Sequence, residues 1–136
     1  MPKIILASGP VIIEDDKVLL DKHGLDPFWK FCGGRFDDLE QSLIEHAQNR
    51  AFLELGIEVE IINRKPFVMW TQKEAAPDGK IDVVLFHFLA RHEGEISPGE
   101  DIRDWKWIPI SELDELEKKG ELAPNIIPTL KHFRII

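Results

Sequence analysis

Only one cysteine, Cys32, occurs among the 136 residues, so no disulfide can form within the chain, and a reducing, cytoplasmic compartment is the simplest reading. No apolar run approaches the roughly 20 residues that a helix needs to cross a bilayer, so neither a membrane span nor a membrane partner is expected. Basic residues are in deficit. The 17 lysines and arginines stand against 25 aspartates and glutamates, leaving a net charge of −8. They form no cluster able to neutralise a run of phosphates, which argues against a nucleic-acid partner. An acidic chain is better suited to a divalent cation. Repeats, low-complexity tracts and linkers are also missing, so residues 1–136 read as a single domain near the usual size for one core. The opening MPKIILASGPVII runs directly into Glu14, Asp15 and Asp16 and reads as a first strand, not a signal peptide.

What the chain does have is the balance of a globular protein, 43% apolar and 31% charged. Ile4–Ile13 and Val18–Leu20 are rich in branched aliphatic residues and flank the turn EDDK, which predicts a hairpin. A short strand is expected over Phe28–Cys32, ahead of Gly33 and Gly34. From Gln41 to Leu55 the period turns helical: Leu43, Ile44, Ala47, Ala51 and Leu55 fall within one arc, and Gly56 supplies a stop. IEVEIINRKPFVMW reads as strand broken at Pro66, and AAPDGK as a turn. In KIDVVLFHFLARH both alternating registers are largely apolar, which suggests a strand covered on both faces. SPGED is a loop, WKWIPI a strand, SELDELEKKG a short helix from Ser111 to Gly120, and PTLKHF a terminal helix with Pro128 in its first turn. Strands, helix, strands, helix in that order imply an α/β fold, a mixed sheet with helices packed against it.

The stretch GGRFDDLEQSLIEHAQNRAFLELGI, residues 33–57, carries two spaced signals. Gly34 and Glu40 stand as G-x5-E, and Glu54-Leu55-Gly56-Ile57 as E-x-G-U with U aliphatic. With VIIEDDKVLLDKHG, FWKFCGG and WKWIPISEL in the same order around them, the chain resembles the Nudix hydrolase family over nearly its whole length. The resemblance implies an α/β/α sandwich around a mixed sheet. It also implies Mg²⁺ or Mn²⁺ held by carboxylates against the phosphates of a small nucleoside diphosphate or triphosphate derivative, whose pyrophosphate is cleaved by water. On that basis Glu54 and Glu40 are the expected metal ligands, with Glu54 as ligand or base. Glu100, beside Asp101 on the loop before WKWIPI, is the expected further acid. Family members often dimerise, so a homodimer is an allowed assembly.

The middle of the signature departs from the pattern. Aligning both ends needs one extra residue within Leu39–Ser42. Counting back from Gly56, Asn49, Arg50 and Leu53 then stand where the family has Arg, Glu and Glu, so Glu54 alone survives of an acidic trio. His46, Arg50 and Glu54 form an i, i+4, i+8 row along the edge of the packed side. Three readings are open. Arg50 and Glu54 could form a plain helix salt bridge worth about 0.3–0.5 kcal/mol. Glu54 and Glu40, helped by Asp37, Asp38 or Glu45, could still gather one Mg²⁺. Or Arg50, with His46, could bind phosphates directly, a task for which a bidentate guanidinium is suited. The alternative to a hydrolase is accordingly a non-catalytic nucleotide-binding or sensing module that kept the fold and lost the acids.

Gly33 and Gly34 would let backbone approach a phosphate closely, although an ordinary strand-to-loop turn explains them equally well. Trp29 and Trp70 are the preferred substrate contacts among the four tryptophans, set against the usual core role of that residue. Glu100 also reads as part of a solvated acidic loop. Cys32 reads as a small buried hydrophobe and His87 as a core histidine, while His23, His92 and His132 show no metal-ligand spacing.

Overall fold

The long first strand, β1 (Ile4–Glu14), organises the sheet because it pairs along both edges. In the computed structural model, which describes residues 4–37, 40–75 and 79–136, β1 returns through Asp15 and Asp16 into β2 (Lys17–His23). Both turn residues have positive φ, 51° and 60°, as a two-residue hairpin matched to the strand twist requires. Asp38, Leu39 and the middle of the turn expected at AAPDGK lie outside the described residues.

A short β3 (Gly34–Arg35) pairs with β1 at Ala7 and Ser8. After the helix α1 (Leu43–Leu55) come β4 (Glu58–Ile61) and β5 (Phe67–Ala75), separated by a bend that contains Pro66, where the sequence predicts a break. Both pair antiparallel with β6 (Gly79–Glu93), which itself runs parallel to β1 from Ile4↔Asp82 to Ile12↔Ala90. β7 (Ile102–Pro109) closes the other edge on β2. The order is β4-β6-β1-β2-β7, with β3 off β1 and β5 off β6, a mixed sheet of the expected α/β class.

Alternation along β1 and β2 assigns the two faces. Ile12 and Leu19 pack with Cys32, Ala51, Leu55 and Ile57 beneath α1. Val11, Val18 and Leu20 point the other way, against Leu113 of α2 (Leu113–Lys118) and Ile126 and Leu130 of α3 (Ile126–His132). Two positions further along β2 than Leu19, Asp21 therefore faces α1, and His23 follows it. This parity positions the site.

α1 begins two residues later than the sequence suggests, because Ser42 is the N-cap and its hydroxyl accepts the Glu45 N–H at 3.1 Å. It ends where expected. Gly56 takes φ 68° and its N–H bonds the Phe52 carbonyl. Phe28–Cys32 is not the predicted strand. Trp29 bridges Leu122 and Lys30 bridges Asp21, one residue each. The segment crosses from β2 to the stretch before α3, with Trp29 N–H on Glu121 and Ala123 N–H on Trp29, so no ladder propagates. The SELDELEKKG helix also opens differently, as a 3₁₀ turn over Ile110–Glu112. Among the described residues no helix is long and apolar enough to cross a membrane.

Candidate active site

Glu54 lies in the last turn of α1, 3% exposed, and spends its two oxygens differently. Oε2 accepts the Gly33 N–H at 3.1 Å and the Arg50 Nε at 3.1 Å, with the Cys32 thiol 3.7 Å away. Oε1 meets Nε2 of His23. On the other side of the ring, His23 Nδ1 stands 2.9 Å from Oδ1 of Asp21, a contact without hydrogen-bond geometry. Asp21 is 1% exposed, and neither of its carboxylate oxygens has a hydrogen-bond partner. One ligand atom from each of Asp21, His23 and Glu54 falls within 4.8 Å of the others. Burial pushes the Glu54 carboxyl above its ordinary pKa, His23 and Arg50 oppose that rise, and Asp21 adds to it. A buried carboxylate that accepts no hydrogen bond is poorly solvated, and a cation among these three side chains would relieve it. The donors present fit a divalent ion.

Two glycines make the approach possible. Gly33 has φ +150°, and a Cβ there would stand 2.7 Å from the Ser8 carbonyl oxygen, so glycine is what lets this N–H reach Glu54 beside β1. At Gly34 a Cβ would stand 2.8 Å from Nε of Arg50, because the guanidinium lies flat across that residue. Arg50 is thus pinned between Gly34 and Glu54 with its side chain 30% exposed.

The same Cys32–Gly34 segment walls a cavity of about 410 Å³. Phe28, Phe31, Val83 and Leu85 give it an apolar lining, and Ser8, Lys30, Thr71, Lys73, His87 and Asn125 supply polar groups. Asn125 Nδ2 lies 2.7 Å from Nε2 of His87, whose ring packs 4.9 Å from that of Phe31. Burial holds the His87 pKa down at about 4, so the ring is neutral at pH 7 and accepts from the Asn125 amide. The Gly9 backbone partly opposes that lowering, while Nδ1 makes no full hydrogen bond. Beside the cavity, His46 Nδ1 takes the Ser8 hydroxyl and Nε2 meets the Arg35 carbonyl at 2.9 Å. Burial lowers the His46 pKa, and the ring ties α1 to β1 and β3.

A family model described as NUDIX domain matches residues 6–131. The chain belongs to the Nudix hydrolase family. Solved structures agree on the fold. The mMutator MutT protein from Bacillus halodurans is 25% identical with a TM-score of 0.66, over 89% of this chain and 76% of that one. The E. coli ORF135 protein is 23% identical with a TM-score of 0.71, over 98% and 90%. A NUDIX hydrolase from Nitrosomonas europaea is 17% identical with a TM-score of 0.73, over 98% and 89%. Among curated proteins, none matches the chain.

Within this Nudix fold, Glu54, Arg50, Gly33 and Gly34 converge as one constellation. The other expected site residues are placed differently. Glu40 is exposed and stands outside the Asp21–His23–Glu54 group. Glu100 is exposed too, but its loop is fastened to the Nudix helix, with Gly99 N–H on the Glu54 carbonyl at 2.9 Å and Ser97 N–H on that of Leu55 at 2.7 Å. Trp29 is buried in the core on the α2/α3 side, with the Lys22 ammonium 4.7 Å over its ring, and its neighbours Phe28 and Phe31 line the cavity instead. Trp70 is 64% exposed on β5, where Thr71, Gln72 and Lys73 provide the lining. Asp21 and His23 are the residues that spacing within the Nudix signature could not find. Their signal is an acid and an imidazole at i, i+2 on the helix-facing side of an otherwise apolar strand.

Proposed function

We propose that the chain is a pyrophosphohydrolase acting on a small nucleoside diphosphate or triphosphate derivative with a divalent metal ion. One observation carries the reading: Cys32–Gly34 is both a wall of the 410 Å³ cavity and the segment whose Gly33 N–H holds Glu54. That volume is ordinary for a small-molecule site. A nucleoside in the cavity would direct its phosphates over Gly33 and Gly34 toward Arg50 and Glu54. Phe28 and Phe31 would pack on the base, with the neutral His87–Asn125 pair at its polar edge. Arg50 offers fixed guanidinium donors to phosphate oxygens.

A divalent ion bound beside Glu54 would stabilise charge on the phosphoryl oxygens and acidify a water molecule. Glu54 is the central ligand, oriented through Oε2 by Gly33 and Arg50. Glu40 is proposed as an outer carboxylate for the ion. Glu100, next to the loop residue that holds the Glu54 backbone, is proposed as the carboxylate base that takes the proton from the attacking water.

A panel of nucleotides screened for phosphate and pyrophosphate release with Mg²⁺, Mn²⁺ or EDTA tests the proposal. Metal-dependent release lost in Glu54→Gln is the expected result, and release undiminished in that variant would remove Glu54 from the mechanism. Chelator-insensitive nucleotide binding with no product would replace the hydrolase by a binding module that uses Arg50 in place of the ion.

A further inference from the structure

We propose that Asp21, His23 and Glu54 form a mixed nitrogen and oxygen site for a late first-row transition ion, of the Co²⁺ or Zn²⁺ class, in preference to Mg²⁺. The proposal rests on the hydrolase reading only for the use of the ion. The site itself stands on side chains of β2 and α1.

Leu19 sets the register: its side chain is buried beneath α1, and the i, i+2 parity of a strand sends Asp21 and then His23 to the same side. There they meet Glu54 from the last turn of the helix. Asp21 is almost wholly buried, and neither oxygen accepts a hydrogen bond, its ion-pair contact being His23 Nδ1 at 2.9 Å, so the carboxylate is poorly compensated unless something positive is supplied. Its backbone is already satisfied, with its N–H and carbonyl exchanged with Lys30, so the side chain is what lacks a hydrogen bond. The His23 ring stands between two carboxylates, where a cation belongs.

Glu54 is arranged to match. Gly33 and Arg50 hold Oε2, which fixes the carboxylate plane and leaves Oε1 on the side of His23 and Asp21. Such anchoring of one ligand oxygen is how outer contacts orient a metal ligand. The donor types decide the metal class. Mg²⁺ seeks a near-octahedral set of oxygens and keeps its waters, whereas imidazole nitrogen suits the first-row transition ions. In this helix Arg50 and Leu53 occupy positions that would have supplied further oxygens, and the structure brings an imidazole from β2 instead.

Calorimetric titration of the chelator-stripped full chain with Co²⁺ and Mg²⁺, without nucleotide, tests this directly. One Co²⁺ per chain, bound at least about tenfold more tightly than Mg²⁺, is expected from the preference of imidazole sites. His23→Gln should weaken Co²⁺ binding by at least about tenfold and narrow the Co²⁺/Mg²⁺ ratio. Equal affinities in the wild type, or an unchanged Co²⁺ affinity in the variant, would overturn the proposal. X-ray absorption fine structure of the wild-type Co²⁺ complex covers the case in which His23→Gln does not fold. Imidazole scattering around the ion supports His23 as a ligand, and its absence excludes it. Co²⁺ bound through His23 in a chain that hydrolyses no nucleotide supports the site and defeats only the hydrolase reading. Mg²⁺-driven hydrolysis undiminished in His23→Gln, with no preference for Co²⁺, defeats only the site.

Discussion

The Arg50 guanidinium lies across Gly34 so closely that a Cβ on that glycine would stand 2.8 Å from Nε, the nitrogen that also holds Glu54 Oε2 at 3.1 Å. Gly34→Ala should therefore displace a flexible side-chain end and leave the backbone in place. Stability is expected to change by no more than about 1 kcal/mol, while nucleotide affinity falls about tenfold through loss of a charged donor. Thermal unfolding and nucleotide titration of the same preparation check both parts, and unchanged nucleotide binding would take Arg50 out of the phosphate site.

Gly33→Ala should behave in the opposite way. Its φ is +150°, and a Cβ would stand 2.7 Å from the Ser8 carbonyl oxygen, which is backbone and cannot swing aside. A loss of stability of roughly 1–3 kcal/mol is expected from the combined strain and crowding. Chemical denaturation of the two alanine variants in parallel measures the contrast; equal losses would contradict the assignment of strain to Gly33 and guanidinium packing to Gly34.

The helix and the site differed in how much of each could be seen in the sequence. Leu43, Ala47, Ala51 and Leu55 carry a local period, and Gly56 a local conformational need, so α1 and its packed side were legible, as was the placement of Glu54 on that side. Arg50 beside Glu54 followed from the same i, i+4 spacing. Asp21 and His23 could not be joined to Glu54 in this way, since 31 residues separate His23 from Glu54 and the contact depends on which face of β2 looks at α1. The position of Trp29 was equally hidden. It packs in the core on the α2/α3 side and edges a separate, smaller pocket beside Lys106 and Glu115, while Phe28 and Phe31 reach the 410 Å³ cavity, because the segment crosses between β2 and the approach to α3 and does not run as a regular strand.

Ser42 offers a control in which the helix is weakened without touching the cluster. Its hydroxyl caps α1 by accepting the Glu45 N–H at 3.1 Å. Ser42→Ala should cost about 1 kcal/mol of stability, the usual effect of losing such a cap. Metal affinity and turnover at saturating substrate should stay at wild-type levels at a temperature well below the transition. A fall in either would show that the start of α1 is coupled to Glu54 twelve positions further on.

Acid should expose the buried His87. Its pKa is held down at about 4 by burial, against an ordinary value of 6.5, so between those values the unfolded chain takes up a proton that the folded chain refuses. Stability must then rise with pH across that window and be lost as pH falls from 6.5 toward 4, to a total on the order of 3 kcal/mol for this group. Carboxylates add their own acid dependence, so the informative quantity is the difference from His87→Gln, which cannot titrate there. Urea unfolding at pH 7, 5.5 and 4 should show the wild type losing more stability than the variant at each step down. Parallel losses in the two proteins would mean that His87 is charged in the folded state, and that the cavity edge it forms with Asn125 carries a cation, not a neutral acceptor.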